Sequence, residues 1–558
     1  MTQTSNADLQ QLDRLCHSQG VCAPGHKPAL LHRLNKGSLR GAREVARLHD
    51  RLCFLRAYPD DPTVLSLTET MLSAFEQRQD LRRHRRALAD TGIAGTTIYY
   101  RFYWPTARWL YQHWPAAISI DWTQWQHRDD LNDLWHLLLP DSAADALEGL
   151  SFTPRQWIES LRRRDETDAA FVIRHFIHWR VDAATREKFY DDLDVPLVLA
   201  PCRGGPSRTH SKYKPDSLHF AAAPVKPDLP IVAQSLSRPS ATRCVGVRAG
   251  EKLIDLARIQ MITRRRDLYA FMYSDPKDVR ILDYPEGLQF ICYGLQPQRR
   301  SVLEAMYVFL ILKNGVPIGY TQAVTLMRSA EINFNVFDEF RATQTSQIFI
   351  NTLSMVRYLF DADSFVINTQ QLGEGNREAL RSGAFWFYYK HGFRPRDPQV
   401  VKILRAELVR KKTRPGYRSS QRLLKQLARG ELYLDLTRPR TERVTTMATG
   451  RLGLLATQVL EQHARGGHSN GRRPCMQLAL KRLDYRCPKP LVRSRRSAWE
   501  RWSPIILALP NLSRWSVANK RALIDVVNAK GGQRESDFVR LFNQHKLLQS
   551  ALVKLGKK

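Results

Sequence analysis

The sequence predicts an α+β protein in which a mixed β-sheet domain is flanked by a helical N-terminal region and a basic helical C-terminal region. Two observations predict the sheet: a hairpin signal at Asn314-Gly315 between apolar runs, and a strand–helix–strand order across residues 330–368. A hairpin gives antiparallel pairing and a crossover gives parallel pairing, so the sheet should be mixed. The flanking regions repeat apolar residues every three or four positions, which is typical of helices.

The chain has 558 residues, enough for two to four domains at roughly 100–200 residues each. Changes in composition and periodicity predict four segments. They are a helical, Trp-rich domain (1–200), a Pro-rich linker (201–245), the sheet domain (246–438) and a basic helical domain (439–558).

The N-terminal region reads as helical, with helices predicted at 42–58 and 62–89 and Asp61 as the N-cap of the second. Eight of the twelve Trp residues lie before residue 180. They form either a Trp-rich core or interface, or an aromatic binding surface with Arg101 and Arg108. Because aromatic side chains dominate ordinary cores, we favour the core.

Residues 201–245 contain seven prolines and no periodicity, so they are interpreted as a solvated linker rather than a binding loop. An amphipathic helix carrying Arg264–Arg266 is predicted next, at 252–272, and two short strands at 279–283 and 288–293.

The central stretch changes its period twice. Apolar runs at 306–313 and 316–327 and strict alternation at 330–337 predict three strands. Helical spacing then predicts a helix at 345–360, which is followed by a short strand at 364–368. A further helix is predicted at 376–389.

The remaining pattern is mainly helical, with one more strand predicted at 431–436 and a Gly-rich break at 466–471. The predicted helices are 399–410, 420–429, 445–464, 498–509, 516–528 and 535–555.

The net charge is +32, and its excess is concentrated late in the chain: residues 401–558 hold 35 Lys and Arg against 10 Asp and Glu. Such a region attracts polyanions by releasing their counterions. Three interpretations of residues 439–558 stay open: a nucleic-acid interface, a contact with a lipid surface, or a solvated helical face.

The eight cysteines form no CxxC pair, and His175 and His178 have no cysteine beside them, so packed or surface histidines and no metal site are expected. Reduced thiols, the lack of a signal peptide and the lack of an apolar run of about 18–20 residues favour a cytoplasmic protein without a membrane span.

The central stretch resembles the core of the GNAT N-acyltransferase superfamily. The similarity rests on the hairpin, on the strand followed by Asp338–Arg341 and a helix, and on Asn376-Arg-Glu-Ala379 leading to Tyr388-Tyr-Lys-His-Gly392-Phe393. In that family acyl-coenzyme A lies where the fourth and fifth strands separate. Its pyrophosphate rests on an Arg/Gln-x-x-Gly-x-Gly/Ala turn that opens a helix.

The matching turn here is Arg341-Ala-Thr-Gln344-Thr-Ser346, with Gln344 where the family has its first glycine. The resemblance implies a GNAT-like fold and binding of acetyl-CoA or another acyl-CoA as substrate. The implied coenzyme-binding residues are Val336, Phe337, Arg341, Thr343, Gln344, Thr345, Ser346 and Asn376. A second alignment pairs Ala384 with Tyr388 and leaves Arg381 at the Asn position.

The resemblance implies that Tyr388 is the acid that protonates the leaving thiolate, with Tyr389 as the fallback. Glu331, on the polar face of the third strand, is the expected base; it could instead be solvated at a strand end, and Tyr388 could be a core residue. The leading hypothesis is an N-acyltransferase that moves an acyl group from acyl-CoA to an unidentified amine. The alternative, motivated by Gln344, is an inactive scaffold that binds nucleic acid or an acidic partner through residues 439–558.

Overall fold

The computed structural model describes residues 6–17, 26–220, 236–341, 344–437, 449–464, 468–487 and 490–557. The architecture is α+β, as predicted: a large mixed sheet with flanking helices, and a second, small sheet. The chain divides into two compact units. Unit 1 comprises Met1–Pro224, Lys252–Tyr273 and Lys313–Pro317, and unit 2 comprises Val225–Glu251, Ser274–Leu312 and Ile318–Lys558. The four predicted segments stay predictions, because the 438/439 boundary falls on residues outside the described ranges.

The described part of the first 200 residues is helical, with three short strands. The elements are α1 (Asn6–His17), α2 (His26–Lys36), α3 (Ala42–Ala57), α4 (Pro62–Ser73), α5 (Gln79–His84), β1 (Ile98–Tyr100), α6 (Trp104–His113), β2 (Ile118–Ile120), α7 (Asp130–Leu138), α8 (Ala144–Gly149), α9 (Pro154–Leu161), α10 (Asp168–His178), α11 (Ala183–Leu193) and β3 (Leu197–Leu199).

The three strands form an antiparallel sheet in the order β1-β3-β2, which the helical prediction missed. Each strand has only three residues, too few to show an alternating pattern. The Trp-rich stretch is a core, as favoured: Trp104, Trp109, Trp125 and Trp135 are buried together in one cluster. Asp61 caps α4 by accepting a hydrogen bond from the Val64 backbone N–H at 2.8 Å.

The middle of the chain supplies the large sheet. Its elements are β4 (Ala241–Cys244), α12 (Val247–Ile262), α13 (Tyr269–Met272), β5 (Ser274–Tyr284), β6 (Leu288–Leu295), β7 (Ala305–Lys313), β8 (Val316–Leu326), β9 (Ser329–Val336), α14 (Thr345–Phe360), β10 (Ser364–Ile367), α15 (Thr369–Leu372), α16 (Arg377–Ser382), α17 (Ala384–Lys390), β11 (Arg394–Pro395), α18 (Pro398–Thr413), α19 (Gln421–Leu427) and β12 (Leu432–Asp435).

The nine strands have the order β11-β12-β10-β9-β8-β7-β6-β5-β4. Strands β9 and β10 pair in parallel, whereas the pairs β4–β5, β5–β6, β8–β9, β10–β12 and β11–β12 are antiparallel. The predicted hairpin turn is confirmed, because Asn314 and Gly315 have φ angles of 49° and 76° between β7 and β8. Helix α14 has the predicted bounds.

Two helix predictions in this part were wrong. The helix predicted at 376–389 is divided into α16 and α17 by Gly383, whose φ of 68° ends the first helix. The helix predicted at 252–272 ends at Ile262, so Arg264–Arg266 lie in a turn after α12 rather than on it; Arg265 has a φ of 52°.

The C-terminal part of unit 2 is helical throughout its described residues. The helices are α20 (Thr449–His463), α21 (His468–Arg482), α22 (Arg493–Ala508), α23 (Val517–Lys530), α24 (Glu535–Gln544) and α25 (Lys546–Lys557). Two expectations are corrected. Helix α21 begins at His468, inside the predicted Gly-rich break, and the helix predicted at 535–555 is two helices that meet at His545.

A fully buried group of charges, which we call the buried ion cluster, consists of Arg300, Lys530 and Glu535. The Arg300 guanidinium donates to the backbone oxygens of Lys530 at 3.0 Å and Gly532 at 2.7 Å. Lys530 Nζ donates to Glu535 Oε1 at 2.5 Å and to the Glu304 backbone oxygen at 2.7 Å. These contacts join the segment before β7 to the turn between α23 and α24. Burial lowers the pKa of Lys530 to about 8.

Candidate functional site

Strand β10 ends at Ile367, so β9 continues past the end of its parallel partner. On one side, β9 pairs with β8 from Ser329 to Val336. On the other side it pairs with β10 only from Ser329 to Glu331, and the last matched pair is Glu331 with Val366. Residues 332–336 therefore extend past the end of the parallel ladder. We call this region the strand gap.

Side-chain amides span the strand gap in place of backbone pairing. Asn368 Nδ2 donates to Glu331 Oε1 at 2.7 Å and to Asn333 Oδ1 at 3.1 Å. Gln371 Oε1 accepts from the Phe334 backbone N–H at 3.3 Å and from the Tyr388 hydroxyl at 3.2 Å. Asn368 and Gln371 thus satisfy polar groups that a neighbouring strand would otherwise satisfy.

Glu331, the predicted base, lies at the narrow end of the strand gap. Burial raises its pKa above the ordinary range, and the nearby Glu431 carboxylate raises it further, while the hydrogen bond from Asn368 acts in the opposite direction. A carboxylate with a raised pKa and a held orientation is a better proton acceptor than an ordinary carboxylate. Glu331 is half-buried and hydrogen-bonded to Asn368.

Tyr388, the predicted acid, is 3% exposed and packs among aromatic rings. Its ring centroid lies 5.4 Å from that of Phe349 and 5.3 Å from that of Phe387. Burial raises the pKa of the phenol well above its ordinary value, so the hydroxyl keeps its proton and acts as a hydrogen-bond donor. Tyr389, the fallback, instead stacks under Arg394, 4.0 Å from the ring centroid.

The entrance to α14 is formed by Gln344, which has φ 55° and ψ 5°. Its backbone oxygen accepts the first helical hydrogen bond, from Ile348 N at 2.9 Å, and its Nε2 donates to Glu286 Oε2 at 3.0 Å. Thr345 Oγ1 donates to the Arg341 backbone oxygen at 3.2 Å. Gln344 therefore has a left-handed backbone conformation, in which glycine would be less strained.

Arg341 is already bonded within the chain. Its Nε donates to the Val336 backbone oxygen at 2.8 Å, and its guanidinium pairs with Asp338 at 2.8 Å and with Glu378. Two carboxylates therefore offset its charge, which reduces its value as a phosphate ligand.

The other predicted coenzyme residues fall into different surroundings. Val336 and Phe337 are buried, and Phe337 N donates to the Ile318 backbone oxygen at 2.9 Å. Asn376 caps α16 by accepting from Ala379 N at 3.1 Å. Ser346 is half-buried in the first turn of α14. Thr343 lies outside the described residues.

Sequence reasoning selected Glu331 and Tyr388 as candidates but not Asn368 and Gln371, which hydrogen-bond to Glu331 and Tyr388, respectively. A usable signal existed: amide side chains follow directly after β10, where the end of a strand next to a crossover helix often carries polar groups that face a cleft.

Within the described ranges, no group of three or more His, Cys, Asp or Glu side chains could hold a metal ion. His175 Nδ1 bonds to the Phe171 backbone oxygen at 2.9 Å, as a packed histidine would. The seven cysteines in the described part of the chain are free thiols. None of the described helices is long and apolar enough to cross a membrane.

Comparison with known proteins gives no relative: no protein-family model, no curated protein and no solved structure matches this chain.

Proposed function

We propose that unit 2 is a GNAT-like N-acyltransferase domain whose strand gap binds acyl-coenzyme A and whose acceptor is an amine. The observation that carries the proposal is the early end of the β9–β10 ladder at Glu331 and Val366, while β9 continues to Val336. In the family that the central sequence resembles, the acyl-CoA lies between two parallel strands that separate; here the parallel partner of β9 ends early. The parallel pair here stands between antiparallel neighbours and is followed by β12 and β11, an order compatible with that fold.

The strand gap offers groups that an amide-containing ligand can use. The Phe334 N–H bonds to the Gln371 carboxamide, and a ligand carbonyl can take the place of that carboxamide with no net loss of hydrogen bonds. Such binding requires Gln371 to move, because its oxygen accepts from both Phe334 and Tyr388.

The side chains around the strand gap suit acyl transfer. The amine nitrogen attacks the thioester carbonyl, Glu331 takes the proton that the nitrogen loses, and the carbon–sulfur bond breaks as the amide forms. Tyr388 gives its proton to the leaving thiolate, so the products are an N-acyl amine and the free thiol. Glu331 then returns its proton, through solvent, to the phenolate. A base with a raised pKa and an acid that stays protonated are the pair this sequence of steps needs.

The start of α14 supplies the expected pyrophosphate subsite. Helix N-termini present backbone N–H groups and the positive end of the helix dipole, which favour phosphate. Gln344 is the obstacle, since its side chain lies where the family has a glycine. We expect Gln344→Gly to strengthen coenzyme binding by about tenfold, because it relieves a left-handed φ and opens the approach to the helix.

Isothermal titration of the full-length chain with acetyl-CoA tests the proposal. Saturable heat that grows with Gln344→Gly supports it. No heat at millimolar acetyl-CoA from either protein would overturn it. Free adenosine 3′,5′-bisphosphate serves as the control for binding of the nucleotide end alone.

A second function, nucleic-acid binding by a scaffold, is favoured by a different observation. Helices α18 and α19 and the loop between them carry one acidic residue, Glu407, which is buried. Nine basic side chains around it are exposed: Lys402, Arg405, Arg410, Lys412, Arg414, Arg418, Arg422, Lys425 and Arg429. This surface lies before residue 439 and therefore outside the predicted interface at residues 439–558.

Two variants of equal charge separate the surfaces. One replaces Arg418, Arg422, Lys425 and Arg429 with Gln; the other replaces the exposed Arg472, Arg473, Arg495 and Arg496 with Gln. If α18–α19 bind nucleic acid, only the first should weaken a salt-sensitive gel shift of duplex DNA or RNA, and its salt dependence should become shallower. Equal loss in both would indicate non-specific attraction, and no shift by the unmodified chain would exclude this function.

A further inference from the structure

Unit 1 contains a cavity of about 440 Å³ that the proposed acyl transfer does not use. Two stretches of the chain line it. The first includes Glu76, Arg82 and Arg85 and continues through 93–98; the second runs from Leu199 to His210. Its volume lies within the range of small-molecule binding sites, roughly 300–1,000 Å³.

The charged groups of the cavity are unbalanced. Arg82, Arg85 and Arg203 line it, whereas Glu76 is the one carboxylate in the lining. None of these three guanidinium groups is paired with a carboxylate anywhere in the described ranges, although many other arginines of the chain are. Unpaired arginines around a shared cavity are a ready means of holding an anion, because guanidinium groups bond strongly to phosphate and carboxylate oxygens.

Apolar side chains belong to the lining as well: Ile93, Ile98 and Leu199 are buried residues that border the cavity. The lining therefore combines charged and apolar side chains. An inorganic ion would use only the first, whereas a small organic molecule with an anionic group would use both.

The 199–210 wall of the cavity is held in place by buried hydrogen bonds. His49 Nε2 bonds to Thr209 Oγ1 at 2.9 Å, and Arg56 donates to the Thr209 backbone oxygen at 2.6 Å. Thr209 Oγ1 also accepts from Ala94 N at 2.9 Å, and Arg208 pairs with Asp50 at 3.0 Å. A wall that is already ordered does not need to be ordered by the ligand, so less of the binding free energy is lost.

We propose that this cavity is a binding site for a small phosphorylated organic molecule. A phosphate monoester carries close to two negative charges near neutral pH and three acceptor oxygens, which match three unpaired arginines better than a single carboxylate does. The organic part lies against Ile93, Ile98 and Leu199. This inference is independent of the acyltransferase proposal, because every residue in the lining belongs to unit 1.

The test uses the full-length chain, with phenyl phosphate and inorganic phosphate as probes in isothermal titration. We expect phenyl phosphate to bind at least about tenfold more tightly than inorganic phosphate, because the ring contacts the apolar side chains of the lining. Tighter binding of benzoate than of phenyl phosphate would contradict the choice of a phosphate.

The chain provides a matched pair of variants. Arg82→Gln with Arg85→Gln removes two charges from the lining. Arg83→Gln with Arg86→Gln removes two exposed charges from the same stretch, outside the lining. The first double variant should weaken phenyl phosphate binding by about tenfold or more, and the second by less than about twofold. Arg203→Gln should act like the first.

A second measurement does not depend on those variants. Cys202 lines the cavity, whereas Cys244 is exposed and belongs to unit 2. Saturating phenyl phosphate should slow alkylation of Cys202 by iodoacetamide several-fold and leave Cys244 unchanged, as read by mass spectrometry. Equal weakening by both double variants, no protection of Cys202, or no heat from the unmodified chain at millimolar probe would each overturn the proposal.

Discussion

Two polar groups of residues in unit 2, the buried ion cluster and the half-buried strand gap, are built in opposite ways. In the buried ion cluster, full charges on Arg300, Lys530 and Glu535 bond to one another and to backbone oxygens contributed by distant segments. In the strand gap, neutral amides of Asn368 and Gln371 bond to Glu331, Asn333, Phe334 and Tyr388.

The two groups differ in how easily a ligand can replace their hydrogen-bond partners. A buried charge loses several kcal/mol of solvation, so it is stable only while its partners stay in place, and a ligand cannot replace them cheaply. A neutral amide contributes about 1 kcal/mol per hydrogen bond, which a ligand amide can match. The buried ion cluster therefore fixes the C-terminal helices to the sheet, whereas the amide hydrogen bonds of the strand gap are of a kind that ligand amides can replace.

Lys530→Met tests directly whether the buried ion cluster stabilises the fold. The substitution leaves Glu535 charged and without its ammonium partner, so we expect the free energy of unfolding to fall by about 3–5 kcal/mol, measured by urea denaturation. The double variant Lys530→Met with Glu535→Gln keeps the local net charge at that of Arg300 alone and should recover at least half of the loss. If both variants lose the same amount, the ion pair does not carry the stability.

Within the strand gap, Glu331→Gln should lower the rate without lowering stability. We expect kcat for thiol release from acetyl-CoA, with an amine mixture as acceptor, to fall by about 10²-fold while KM for acetyl-CoA stays constant, because an amide cannot take the proton. The exposed Glu374 gives the control, as Glu374→Gln should leave both constants unchanged. Equal kcat in all three proteins would remove Glu331 from the reaction.

The buried ion cluster should also make the free energy of unfolding depend on pH. The pKa of Lys530 is about 8 in the folded chain, against an ordinary value of 10.5. Between these values the unfolded chain binds more protons, so stability rises with pH. This contribution amounts to about 1.5 kcal/mol between pH 8 and pH 9.5.

The contribution of Lys530 is isolated by subtracting the unfolding free energy of a variant that lacks this group from that of the unmodified chain. The Lys530→Met, Glu535→Gln double variant lacks the titrating group, so its difference in unfolding free energy from the unmodified chain should widen over the same interval. A constant difference would mean that Lys530 titrates normally.

The smallest effect concerns Gln371, whose side chain occupies the position that the proposed ligand needs. Gln371→Ala should tighten acetyl-CoA binding by about fivefold, because it frees the Phe334 N–H and the Tyr388 hydroxyl in advance. Gln370→Ala, on the exposed neighbouring residue, should not change Kd. Weaker binding by Gln371→Ala would show that the carboxamide is part of the site rather than a replaceable partner.

Sequence reasoning succeeded where a pattern was local. The Asn314-Gly315 turn and the bounds of α14 follow from residues within one turn or one helix of each other. It failed where distant segments decide the outcome. Tyr388 was predicted but its partner Gln371 was not, and the cavity of unit 1 joins 76–98 to 199–210, a segment whose prolines had suggested only a linker.

Failures of a second kind came from single backbone angles. Gly383 ends a helix that its neighbours would continue, and three-residue strands such as β3 are too short to show their period. In the candidate site, the sequence singled out Arg341 but could not predict its partners. Its charge is offset by Asp338 and Glu378.

Arg300 also sets an order of events during synthesis. Its guanidinium bonds to oxygens of Lys530 and Gly532, which the ribosome adds about 230 residues after it. Until then the Leu295 backbone oxygen, 3.0 Å from Arg300 Nε, is the acceptor that lies near it in the sequence. We therefore expect this part of unit 2 to gain its full set of hydrogen bonds only late in translation, after residues 530–533 have been added.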